Sequence, residues 1–244
     1  MTARERADRL LVARGLFESR AKAQAAIAAG RVTADGEPVR KPSDEIARDA
    51  QIAAEPAFPW VSRGGVKLAH ALDRLGIAVD GRVCLDVGAS TGGFTEVLIA
   101  RGARRVFAVD VGRDQLHASL RGRPEIVSIE ETDIRKLDLA VLEQRPEIVT
   151  VDVSFISLKQ VLPAALALAS ARATLVALIK PQFEVGKSRA LKKGIVRDPE
   201  IHAAVCADIA AFVAGRGWEV LATLPSPIEG GDGNREFLIG ARRG

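Results

Sequence analysis

Two hydrophobic patterns divide the chain. Between Arg6 and Arg14, Ala7, Leu10 and Leu11 share one side of a short amphipathic helix, which Gly15 ends. Ser19 reads as the N-cap of a second helix, Arg20 to Ala29, closed by Gly30. Arg31-Val32-Thr33 is extended, Asp35-Gly36 is a hairpin turn, and Pro38-Val39 resumes the extended chain. Residues 1–55 therefore predict a small α/β module. Residues 56–62 hold Pro56 and Pro59, which restrict the chain to extended conformations and predict a short, stiff linker. Trp60 is expected at a domain junction.

From residue 63 to residue 244 apolar strands alternate with helices. The strand-like runs are Val83–Val87, Arg105–Val109, Ile126–Ile129, Ile148–Asp152, Leu175–Ile179, Glu219–Leu224 and Glu236–Ile239. Helices are expected over Val66–Leu75, Gly93–Ala100, Gln115–Leu120, Leu158–Ala169 and Pro199–Ala214. Such alternation means right-handed βαβ units and a parallel sheet covered on both faces. A Pro/Gly-rich loop, residues 225–233, joins the last two strands without a helix and predicts a terminal antiparallel hairpin. The expected fold is α/β: a Rossmann-like, seven-stranded, mostly parallel sheet preceded by the small α/β module, in the pattern of a class I methyltransferase sheet, to which many doubly wound folds come close.

Composition narrows the function classes. Of 244 residues 48% are hydrophobic but only 4% aromatic, so Ala, Val, Leu and Ile make the core. Two cysteines cannot build a disulfide framework, and no zinc spacing or other metal signature is present. The longest apolar stretch, Val161 to Ala171, is too short to span a membrane, and charges interrupt the apolar run at the N-terminus. A cytoplasmic protein is expected. Lys and Arg number 35 against 31 Asp and Glu, a net charge of +4 that says little by itself. Its distribution says more. Residues 1–34 carry seven basic and three acidic side chains, and residues 35–62 carry three basic and six acidic. A basic head suits an anionic partner.

The segment CLDVGASTGGFT, residues 84–95, leaves a strand and enters a helix. It lacks the Gly-Lys-Ser/Thr of a phosphate-binding loop, and Ser90 stands where a dinucleotide fingerprint needs glycine. Asp86 at the strand end repels phosphate and attracts a cationic amino-acid group, as S-adenosylmethionine presents. Gly88, Gly92 and Gly93 allow close backbone approach, Ser90, Thr91 and Phe94 complete the loop, and the helix N-terminus suits a carboxylate. Asp110 at the next strand end is placed for ribose hydroxyls, and Asp133 after the third for an adenine amino group. Three acids at three successive strand ends beside this loop point to that cofactor.

Asp152 ends the fourth strand in VTVDVSFIS, and Lys180 ends the fifth in LVALIKPQFE. Lys67 opens the first helix of the large domain in SRGGVKL, and Glu236 begins the last strand in GNREFLIG. A lysine ending a buried strand is costly unless paired or used. The order Lys67, Asp152, Lys180, Glu236 resembles the FtsJ-like ribose 2′-O-methyltransferases. The head, RADRLLVARGLFESRAKAQAAIAAGRVTADGEPVRKPSDEI, resembles the small RNA-binding domain of ribosomal protein S-four. Together the whole chain resembles the TlyA, or hemolysin A, family. That resemblance implies methyl transfer to a cytidine ribose 2′-hydroxyl in ribosomal RNA. It implies Arg4, Arg6, Ser19, Arg20 and Lys22 as the RNA-facing set. Lys180 is expected to take the hydroxyl proton, with Asp152 orienting it and Lys67 and Glu236 positioning and tuning charge.

The stretch GKSRALKKGIVR, residues 186–197, has five cations and no acid. Following the Lys180 strand, it offers Lys187, Arg189, Lys192 and Lys193 for phosphate contacts. Phe94 and Phe155 read as core rather than base-stacking groups. The rival readings are a small-molecule methyltransferase, which leaves the head and basic loop without a purpose, and a membrane-active hemolysin, for which the sequence offers no span. A non-catalytic ribosome-assembly factor is disfavoured by the four charged residues.

Overall fold

The structure is a computed structural model that describes residues 3–185, 194–231 and 233–244. It forms two compact units, Met1–Pro59 and Trp60–Gly244. The first contains β1 (Arg4–Arg6), α1 (Ala7–Ala13), α2 (Arg20–Ala28), β2 (Val32–Ala34), β3 (Glu37–Pro38), β4 (Glu45–Ala47) and β5 (Ile52–Ala54). β1 pairs with β4, and β2 lies between β3 and β5, all antiparallel. Leu10, Leu11, Phe17, Ala23, Ile27 and Val32 fill its core. Ser19 caps α2, its Oγ accepting the Lys22 N–H at 3.3 Å.

One acid organises this core. Asp8 is fully buried. Its carboxylate accepts from Arg6 Nε at 3.1 Å, Arg20 NH2 at 2.7 Å and Gln24 Nε2 at 2.8 Å, tying α1 to α2. The Arg6 hydrogen bond, with help from Arg20 and Gln24, holds the carboxyl well below the usual carboxylate range.

The second unit contains α3 (Arg63–Leu75), β6 (Val83–Val87), α4 (Gly93–Ala100), β7 (Arg105–Val109), β8 (Ile126–Ile129), β9 (Ile148–Val151), α5 (Leu158–Leu168), β10 (Ala173–Ile179), α6 (Pro181–Glu184), α7 (Pro199–Ala214), β11 (Glu219–Pro225) and β12 (Phe237–Arg243). Its sheet runs β11-β12-β10-β9-β6-β7-β8. The five strands from β10 to β8 are parallel, and β12 is antiparallel to both neighbours. The seven-stranded, mostly parallel sheet with a terminal hairpin is thus as the alternation predicts. Strand periodicity sorts the core. Leu85, Val87, Val149 and Val151 face α5 and α7, whereas Cys84, Val106 and Ile148 face α3 and α4. Trp60, expected at a junction, packs on the α3/α4 side, where a Cβ on Gly65 would strike its indole. Among the described residues no helix is long and apolar enough to cross a membrane.

The expected helix at Gln115–Leu120 is absent; the segment is a series of turns. Side chains from outside take its backbone groups. Glu130 accepts the N–H groups of Asp114, Gln115 and Leu116 at 2.6, 2.9 and 3.1 Å, and Arg121 donates to the carbonyls of Asp114 and Leu116. With those groups satisfied, a short segment has nothing to offset the cost of helix nucleation.

The Asp8 carboxylate stabilises the small unit near neutrality, and that contribution is lost as acid protonates it, because its folded-state pKa is depressed. Asp8→Ala should cost about 1–3 kcal/mol. Hydrogen exchange of the α2 amides in the full chain checks this: faster exchange is expected in the variant at pH 7, with the gap beginning to narrow only as pH falls below about 4.

Candidate active site

β6 and β9 are hydrogen-bonded neighbours, yet the chain leaves β6 toward β7 and leaves β9 toward β10. A crevice opens at their carboxyl ends, the place where α/β sheets bind ligands. Residues 88–94 cross it. Gly88 has φ 81°, and a Cβ there would strike the backbone carbonyl of Asp152. A Cβ on Gly92 would strike Leu116 and Leu120, and one on Gly93 would strike Ser62 Oγ. These three positions were read from sequence as room for a ligand. The structure gives a different reason, since the protein's own atoms occupy the space. Ser90 and Thr91 are exposed at the loop crest, and Ser90 N–H donates to Asp110 Oδ2 at 2.8 Å.

The three acids have separate fates. Asp86 is fully buried and accepts from Thr95 Oγ1 at 2.7 Å and Thr150 Oγ1 at 2.9 Å. Burial, with the nearby charge of Asp152 adding to it, pushes its carboxyl up to about 7 against those hydroxyl bonds. It knots β6, β9 and α4 together and presents no surface to a ligand, which corrects the direct role expected of it. Asp110 is half-buried, and among the described residues its carboxylate accepts the N–H groups of Ser90 and Gly112, at 2.8 and 2.7 Å, and no others. Lone pairs remain for two hydroxyls. Asp133 caps a short turn through Arg135 N–H and binds the Arg135 guanidinium with both oxygens. That bond lowers its pKa to about 2. The expected adenine contact competes there with a neighbour three bonds strong. Phe94 is buried against α3, as core.

The four charged residues form two ion pairs. Lys180 Nζ lies 2.6 Å from Asp152 Oδ1, and Lys67 Nζ lies 2.5 Å from Glu236 Oε2. The second pair is buried. Strand register brings the pairs to one edge. Ile179 and Phe237 are Cα partners in the antiparallel β10–β12 ladder, so Lys180 and Glu236 follow as the next opposed positions. Asp152 follows Val151, which pairs with Val87 and Ala177.

The chain after β9 and the chain after β10 are joined at successive points. Lys180 Nζ donates to Ser154 Oγ at 2.9 Å. The rings of Phe155 and Phe183 lie 5.1 Å apart. Glu184 accepts from Ser157 Oγ at 2.5 Å and from Leu158 N–H at 2.8 Å. Phe155 is 91% exposed with φ 64°, so it is not core as its sequence suggested. A left-handed aromatic residue costs about 1–3 kcal/mol, tolerated because both flanks are pinned. Sequence reasoning also passed over Ser154, and its signal was available: it stands between Asp152 and an aromatic in VDVSFIS.

In the small unit the expected RNA-facing residues are largely engaged. Arg6 and Arg20 clamp Asp8, Ser19 caps α2, Lys22 pairs with Glu18 at 2.5 Å, and Arg4 donates to the Glu45 carbonyl. Among the described residues, Arg9, Arg40 and Lys41 have no side-chain partner. Lys187, Arg189, Lys192 and Lys193 lie outside the described residues.

Residues 60–243 match the family profile described as FtsJ-like methyltransferase, and residues 5–52 match the S4 domain. The chain is 44% identical over 244 residues to the 16S/23S rRNA (cytidine-2'-O)-methyltransferase TlyA of Mycobacterium tuberculosis, with 99% of this chain and 91% of that protein covered. It is 36% identical over 234 residues to Hemolysin A of Brachyspira hyodysenteriae, covering 96% and 98%. A solved Streptococcus thermophilus structure whose name carries the word hemolysin superposes with TM-score 0.78 at 38% identity, covering 100% of this chain and 90% of that one.

Asp86 yields a stability prediction with a definite sign. Its folded-state pKa is raised, so the native state is favoured at low pH and loses stability as pH rises toward about 7. Asp86→Asn keeps the shape and removes the titration. Its melting temperature relative to the unsubstituted chain should climb between pH 5 and pH 8, by an equivalent on the order of 2–4 kcal/mol. An offset that does not change with pH would contradict the buried-acid account.

Proposed function

The chain belongs to the TlyA (hemolysin A) family, FtsJ-like methyltransferases led by an S4 domain, and from that premise we propose that it methylates the ribose 2′-hydroxyl of a cytidine in ribosomal RNA. The observation that carries the reading is the Lys180–Asp152 ion pair at the crevice where residues 88–94 cross between β6 and β9. S-adenosylmethionine fits the residues present. Asp110 keeps free lone pairs for a ribose diol, Ser90 and Thr91 are exposed, and the α4 N-terminus suits a carboxylate. When bound, the cofactor supplies an electrophilic methyl group.

The chain's own residues do the rest. Lys180 Nζ, once neutral after releasing its own proton to solvent, takes the 2′-hydroxyl proton as the oxygen attacks. Asp152 holds the ammonium that results, and Lys180 is 11% exposed, so water competes weakly for it. Lys67 and Glu236, already neutralising each other in a buried pair, position the nucleotide without adding net charge. Phe155 offers an exposed aromatic face beside Lys180 on which a base can stack. A small-molecule substrate would leave that face and the cations of residues 1–34 without a role. The small unit holds RNA through its unpaired cations, and the protein acts in the cytoplasm, where ribosomal subunits are found.

Two measurements test this. Methyl transfer to purified ribosomal subunits should fall about 10²- to 10⁴-fold in Lys180→Ala, and Lys180→Arg should not recover, because guanidinium stays protonated. Substantial transfer by Lys180→Arg would reduce Lys180 to a fixed charge. For RNA binding, replacing both Arg9 and Lys41 by Ala should lower the slope of log affinity against log salt by roughly 1.4–1.8, at 0.7–0.9 per lost phosphate contact. An unchanged slope would take the small unit's free cations out of the interface.

A further inference from the structure

Charge and direction reach Lys180 from different residues. Asp152 Oδ1 lies 2.6 Å from Nζ but outside hydrogen-bond geometry, so it supplies charge without fixing an angle. Ser154 Oγ accepts from Nζ at 2.9 Å, and among the described residues it is the one hydrogen-bond acceptor that Nζ has. A lysine ammonium is a rotor with three donors, and the single directed bond decides where the other two positions point. Ser154 is itself held. The Phe155–Phe183 ring pair and the Glu184 bonds to Ser157 and Leu158 fix the chain just beyond it to the segment that begins with Lys180.

We propose that Ser154 is a positioning residue: its hydroxyl oxygen orients Lys180 Nζ so that, once the amine is neutral, its lone pair meets the reacting hydroxyl. The inference rests on the reading of Lys180 as the proton acceptor. Among the described residues, the other charged groups on the elements flanking Lys180 are Asp152 after β9, Glu236 before β12 with its partner Lys67 on α3, Asp86, on which Asp152 acts by charge, and Glu184 on α6. Glu236, Lys67 and Glu184 are each spent on another partner, and Asp86 is buried on its two threonines.

The test uses the full chain with Ser154→Ala and Ser154→Thr, and two readouts. One is the pH profile of methyl transfer to ribosomal subunits. The other needs no RNA: acetic anhydride labelling of Lys180 across pH, quantified by mass spectrometry. In Ser154→Ala the plateau rate should fall about 10- to 100-fold, as for a lost hydrogen bond to a charged group. The rising limb should move to lower pH, since an acceptor that favours the ammonium is gone, and the labelling profile should move with it. Ser154→Thr keeps the hydroxyl and should restore all three. A plateau loss with limb and labelling unmoved would make Ser154 a structural residue and overturn the proposal. So would Ser154→Thr behaving as Ser154→Ala. Should the unsubstituted chain transfer nothing to ribosomal RNA while the labelling shift appears, the contact would stand and the proposed function would fall.

Discussion

The close passage of residue 88 beneath the backbone carbonyl of Asp152 governs the rest of the large unit. β6 and β9 are parallel neighbours whose successors part company, and at their ends two backbones come within contact distance. Only a residue without a Cβ, in the left-handed region, lets the chain turn there. From that turn the loop crosses the crevice, α4 begins, and Asp152 arrives with its side chain toward Lys180. The buried carboxylate of Asp86 secures the same junction from the sheet side through Thr95 and Thr150. A junction so tight at the backbone leaves the side chains just beyond it with few choices of position, and preorganised groups are what a transfer reaction uses.

Sequence reading went far for the architecture and less far for the site, for physical reasons. Apolar runs spaced by helices leave almost no alternative to a parallel sheet, and all seven strands overlap the expected runs, although the last spans Phe237–Arg243 and leaves Glu236 just before it. The segment at Gln115–Leu120 failed because its backbone partners come from Glu130 and Arg121, and a local pattern does not show distant side chains. The same limit applies to the small unit. A count of basic residues finds Arg6 and Arg20, yet cannot show that both are spent on one buried acid. The glycines of residues 88–93 show the same limit, because sequence reveals that a Cβ is excluded and not which atom excludes it.

The two motifs VDVSFIS and LIKPQFE were found separately, and their joining was invisible in either. Residues 154, 155 and 157 of one meet residues 180, 183 and 184 of the other in order. An alternation of hydroxyl and aromatic residues after β9 has its counterpart in the cation, ring and carboxylate after β10. Such matched ends explain how an exposed phenylalanine is held in a strained conformation, since each neighbour is tied across the gap.

The aromatic composition has an optical consequence. The chain has no tyrosine and two tryptophans, Trp60 and Trp218, so its near-ultraviolet emission comes from two indoles. Trp218 is buried beneath the Arg243 guanidinium, 5.0 Å from its ring centre. Trp60 lies against Gly65 in the first turns of α3, two residues from Lys67, whose partner is Glu236. The wavelength of the Trp60 signal therefore reports the polarity beside the α3 and α4 helix starts. A single-tryptophan chain carrying only that indole is a built-in optical gauge of the packing between α3 and α4, requiring no label.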